Sequence, residues 1–118
     1  MVTIFGIGNC DTVRKARRWL DGHAVEYRFH DVRTDGLPRL LLESWVQALG
    51  WENLLNRRGT TWRKLPESVR DSINKRAAVK LMLEHPAMIK RPVLDLGDSL
   101  HLGFSEDSYK NCFNKPRS

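Results

Sequence analysis

Cysteine is scarce in this chain, with two residues in 118, Cys10 and Cys112. Their wide separation fits neither a disulfide framework nor a zinc site, so both are expected as thiols in a reducing compartment. The third position after Cys10 holds Val13 rather than a second cysteine, which excludes a local dithiol–disulfide cycle. His23, His30, His85 and His101 lack metal-ligand spacing, and no Cys–His–acid set stands out, so neither a metal centre nor a hydrolase is expected. No apolar run approaches a membrane span, and no basic segment followed by a long apolar stretch opens the chain. The expectation is a cytoplasmic protein without a membrane partner. Acidic residues are also in short supply, 14 against 20 Lys and Arg, for a net charge of +6. That excess favours anionic partners. The basic residues are spread over several elements without an RNP, zinc-finger or basic-zipper pattern, so solvated helix faces are expected rather than a nucleic-acid partner.

What is present reads as one domain over 1–118, long enough to bury about two thirds of its unfolded surface. Met1 to Gly6 reads as a buried strand, and Asp11 to Leu20 as a helix with Val13, Ala16, Trp19 and Leu20 at helical spacing. Val25, Tyr27 and Phe29 alternate with polar residues as in a half-buried strand. Strand, helix and strand make a βαβ unit with the two strands parallel. From Leu37 the character turns helical. Leu40, Leu41, Trp45, Val46 and Leu49 form one stripe, Pro66 is placed at N1 of a helix with Val69 and Ile73, and a further helix carries Ala77, Leu81 and Leu83. Gly97-Asp98 between two short apolar runs signals a hairpin with a primed turn. Ser105 can cap a last helix bearing Tyr109, Cys112 and Phe113, and the tail from Asn114 to Ser118 is expected to fray. The order β-α-β, helices, β-β-α has the outline of an α/β, thioredoxin-like fold with a small mixed sheet. Its core is 1–36 and 87–118, with an all-helical insertion over 37–86.

Cys10 falls where the first strand hands over to the helix. Unpaired N–H groups and the positive end of the helix dipole stabilise a thiolate there, so the sulfur is the expected nucleophile. Cys112, on the apolar stripe of the last helix, is expected to be structural. Asp11 and Thr12 are first of all helix-cap candidates. Arg91-Pro92 precedes the hairpin and marks a strand start. Arg91 fits either a surface arginine or a fixed charge aimed at the Cys10 loop. Arg57, Arg58 and Lys64 flank the Gly59-Thr60-Thr61 turn and fit an anion site and a solvated loop equally well.

Three separated segments, Gly6 to Ala16, Leu54 to Leu65 and Met88 to Val93, together resemble the arsenate reductase (ArsC)/Spx family, and most closely its YffB-type branch. The resemblance covers nearly the whole chain. It implies a catalytic cysteine at Cys10, an arginine before a cis-proline at Arg91-Pro92, and a helical insertion. Of the three arginines around the oxyanion in glutaredoxin-linked arsenate reductases, only Arg91 is in register. Asn56 replaces the second, and the third falls near Gly103. Two lost donors to a charged ligand, about 1.5–3 kcal/mol each, weaken arsenate binding. The branch therefore implies a glutathione-dependent thiol reductase, with glutathione as co-substrate and no tightly bound cofactor. Cys10 and Arg91 are its catalytic pair, and Asn9, Arg58 and Pro92 its substrate- or anion-binding residues. Two alternatives remain. One is an arsenate reductase linked to glutathione and glutaredoxin, acting on a small oxyanion. The other is an Spx-like regulator that binds RNA polymerase, although Spx-type switching uses the Cys-x-x-Cys pair that Val13 breaks.

Overall fold

The structure is a computed structural model and describes residues 1–114. The chain divides into two compact units, one formed by Met1–His30 with the chain from Arg91 onward, the other by Asp31–Lys90.

The first unit is built on a four-stranded sheet in the order β2-β1-β3-β4, with β1 at Val2–Gly6, β2 at Tyr27–Asp31, β3 at Val93–Asp95 and β4 at Leu100–Leu102. β1 pairs antiparallel with β3, setting Phe5 opposite Val93, and β3 pairs antiparallel with β4. β2 lies on the other side of β1 and is reached through helix α1, Asp11–Gly22, which makes the sheet mixed. The periodicity of α1 translates directly into packing. Val13, Ala16, Trp19 and Leu20 are buried, Arg14, Lys15 and Arg18 are exposed, and Arg17 lies across Phe29 with its guanidinium 4.2 Å from the ring centroid. Ile4, Ala16, Trp19, Leu20, Leu94 and Tyr109 form the core of this unit.

The hairpin expected at Gly97-Asp98 closes β3 onto β4. The Leu96 N–H donates to the Ser99 carbonyl at 3.0 Å, and Gly97 takes φ +93°. Asp98 does not share that left-handed conformation, so the turn is of the kind that needs glycine only at its first central position. Helix α7, Glu106–Asn114, starts on a reciprocal cap: Ser105 Oγ accepts from the Ser108 N–H at 3.0 Å, and Ser108 Oγ accepts from the Ser105 N–H at 3.2 Å. Asn114, where the expected frayed tail begins, is the last residue of α7, and 115–118 lie outside the described residues.

The second unit is helical: α2 (Arg39–Leu49), α3 (Trp51–Leu54), α4 (Thr60–Arg63), α5 (Glu67–Asp71), α6 (Lys75–Glu84) and a 3-10 turn at Pro86–Met88. Two faces differ from their expected stripes. In α2 the buried residues are Leu42, Trp45 and Val46, whereas Leu40 is 81% exposed. In α6 they are Ala78, Val79 and Met82 rather than Ala77, Leu81 and Leu83. In α2, Leu40 stands two positions from the buried Leu42, about 200° around the helix, and so faces the other way, whereas in α6 Ala77, Leu81 and Leu83 border the buried positions and are half-buried. Pro66 is the N-cap of α5, one residue before the expected N1. Among the described residues no helix is long and apolar enough to cross a membrane.

Candidate thiol site

The site begins with a close approach. An added Cβ on Gly6, the last residue of β1, would lie 2.6 Å from Val13 Cγ2, so only glycine lets the strand end rest on the first turn of α1. Ile7-Gly8-Asn9 then reverses the chain. The buried Ile7 anchors it, and its carbonyl accepts from the Cys10 N–H at 3.1 Å. Cys10 takes an extended conformation, φ −94° and ψ 125°, and its carbonyl accepts the Arg14 N–H at 3.0 Å. Cys10 is itself the N-cap of α1, the position expected for Asp11 or Thr12.

The thiol is half-buried, and burial alone pushes its pKa up. The helix start and Arg91 outweigh that. The Val13 N–H at N3, the hydrogen bond and charge of the Arg91 guanidinium, and the Thr12 N–H at N2 hold Cys10 below its ordinary value. The sulfur closes no ideal capping bond. The amides act on it as oriented dipoles, which is enough to favour the charged form.

Arg91 reaches this position because of the sheet register. With Phe5 opposite Val93 in an antiparallel pair, the chain entering β3 passes the end of β1, where the Cys10 loop begins. The Arg91-Pro92 peptide is cis, as the family resemblance implies. Pro92 is buried, and its carbonyl accepts from the Gly103 N–H at 2.8 Å. Gly103, near the place where a further arginine would fall, has φ +81°, a conformation that favours glycine. Arg14, on the first turn of α1, is paired with Asp11 at 2.8 Å, and the two charges offset one another.

Cys10, Arg91 and Pro92 thus belong to one unit, and Asn9 stands exposed in the turn before the cysteine. Arg58 belongs to the other unit. There Asn56 Oδ1 accepts the Arg58 N–H at 3.1 Å, so the asparagine found in place of an arginine shapes the turn. Arg57 lies over the rings of Trp51 and Trp62, 5.9 and 5.7 Å from their centroids. The unpaired N–H groups expected at the helix start are those of Thr12 and Val13, at N2 and N3. Among the described residues no cluster of His, Cys, Asp and Glu could hold a metal ion.

The family model described as "ArsC family" matches residues 5–112. Among solved structures, one titled "YFFB (PA3664) protein" superposes with a TM-score of 0.89 at 46% identity, covering 94% of this chain and 97% of that one. An arsenate reductase (ArsC) related protein from Brucella melitensis gives 0.79 at 47% identity, covering 97% and 95%. A global transcriptional regulator Spx from Streptococcus mutans is 30% identical over 93% of this chain and 81% of its own length.

Proposed function

The chain belongs to the ArsC family, and from that membership we propose that it is a glutathione-dependent monothiol reductase with Cys10 as nucleophile. The observation that carries this reading is the half-exposed Cys10 thiol, held below its ordinary pKa by the start of α1 and by Arg91. The Cys10 thiolate attacks the glutathionyl sulfur of a mixed disulfide. The old S–S bond breaks, a Cys10–glutathione disulfide forms, and the departing thiolate takes a proton from water. With Val13 at the third position no local thiol can resolve that adduct, so a second glutathione thiolate attacks it. This releases oxidised glutathione and regenerates the Cys10 thiolate. Arsenate suits the chain less well as a substrate, because Asn56 is engaged in its turn and Gly103 has a glycine-favouring backbone.

Mass spectrometry after treatment with oxidised glutathione tests the reading. The adduct is expected on Cys10, with Cys10→Ser abolishing thiol turnover and Cys112→Ser retaining it. An adduct confined to Cys112, or equal loss in both variants, overturns it. The likeness to Spx favours a second reading, a transcriptional regulator acting through RNA polymerase. Recovery of polymerase in a pull-down, together with absent reductase activity, would put that reading first.

A further inference from the structure

The pairing of β3 with β4 runs out beside the thiol site, and the way it ends bears on where Arg91 stands. The register sets Val93 opposite Leu102 and Leu94 opposite His101, so the next pair outward is Pro92 with Gly103. A hydrogen-bonded pair of an antiparallel ladder exchanges two bonds. Pro92 has no N–H to give, which leaves one, the Gly103 N–H donating to the Pro92 carbonyl at 2.8 Å. On the other side of β3 the pairing with β1 ends one residue further from Arg91, at Phe5 and Val93. Among the described rungs of the sheet, the Gly103 bond thus lies nearest to Arg91, whose guanidinium hydrogen-bonds the Cys10 sulfur.

Gly103 makes this bond with φ +81°, where the chain leaves β4 for Phe104, packed edge-on against Tyr109, and for the Ser105 cap of α7. A Cβ on Gly103 would meet nothing within 4 Å, so the backbone conformation, not space, asks for glycine. Gly97, in the turn of the same hairpin, matches it in both respects, with φ +93° and open space around its Cβ position, but its N–H donates to Asp95 Oδ1. We propose that Gly103 is a positioning residue for the thiol site: its left-handed backbone aims the N–H at Pro92, and that bond holds Arg91 beside Cys10. The inference takes the Cys10–Arg91 pair from the function proposed above and holds whichever thiol is the reductant.

The test is the pH profile of Cys10 alkylation, read in the Cys112→Ser protein so that one thiol reports. Gly103→Ala should displace the profile upward by about half a pH unit, leaving about threefold less thiolate at neutral pH. Gly97→Ala carries the same backbone cost away from Arg91 and should leave the profile in place. Gly103→Asn, which accepts the left-handed region more readily than alanine, should recover part of the displacement. In the Arg91→Ala background, Gly103→Ala should add nothing. An unmoved profile in Gly103→Ala, an equal displacement from Gly97→Ala, or an undiminished displacement without Arg91 would overturn the assignment. Should the alanine variant not fold, hydrogen exchange in the unaltered protein decides: the Gly103 amide is expected to be protected, and exchange at the rate of a free peptide overturns the proposal. Alkylation needs no glutathione, so the two readings fail separately. Absent thiol turnover with the expected displacements removes the function and leaves Gly103 its role, and turnover with an unmoved profile does the reverse.

Discussion

At the scale of single residues, Cys10 is governed by the competition between burial and donors. Partial burial opposes the thiolate, and the amides of Val13 and Thr12 share with Arg91 the work of reversing that. The amides are fixed by the helix, so Arg91 is the contribution that a side-chain change can remove. Arg91→Ala should move the pH profile of Cys10 alkylation toward the ordinary thiol range and slow alkylation at neutral pH. An unchanged profile would take Arg91 out of the mechanism. Arg91→Lys should restore part of the effect through charge, without the planar fork. Cys10 was legible in the sequence because a strand, a glycine-containing loop and a helix meet there within a few residues. The placement of Arg91 was not legible from spacing, since it follows from the pairing of Phe5 with Val93, a long-range register that local pattern does not encode.

At the scale of elements, α1 was readable because charged residues separate its apolar positions, leaving one possible buried face. The run Leu40-Leu41-Leu42 offers no such separation. Only the packing of Trp45 decides that Leu42 turns inward and Leu40 outward. The joint between β1 and α1 supplies a quantitative check. Because Val13 is fully buried, its methyl groups cannot swing away from a Cβ placed on Gly6. Gly6→Ala should therefore destabilise the protein by about 1–3 kcal/mol in urea unfolding, the usual cost of overpacking. Val13→Ala creates a cavity and is destabilising alone, but in the double variant it removes the clash. The double variant should be more stable than the sum of the two singles allows. Strict additivity would mean that the Gly6–Val13 contact is not the source of the cost.

At the scale of the whole molecule, stability against pH depends on groups held away from solvent, and Tyr109 is the clearest. It is 0% exposed, and its ring meets Trp19 and Phe104 edge-on with centroids 5.5 and 4.7 Å apart. Its hydroxyl has no hydrogen-bond partner among the described residues. This aromatic cluster was not foreseeable from spacing, since Trp19 on α1 and Tyr109 on α7 come from opposite ends of the chain. Burial, reinforced by the neighbouring Cys112, raises the Tyr109 pKa well above its ordinary 10.0. The folded state thus keeps the phenol proton after the unfolded state has lost it. This contribution to stability is intact below pH 10.0 and declines as pH climbs from there toward the folded value, by about 1.4 kcal/mol per unit at most. Cys10 shifts in the opposite sense, and above its ordinary 9.0 it is ionised in both states and adds no slope. Tyr109→Phe keeps the ring contacts and removes the buried unpartnered hydroxyl. It should raise stability at neutral pH by about 1 kcal/mol and flatten the decline above pH 10.0. Urea unfolding of both proteins from neutral to strongly alkaline pH reads the two effects together, and parallel curves would mean that the Tyr109 hydroxyl finds a partner in solution.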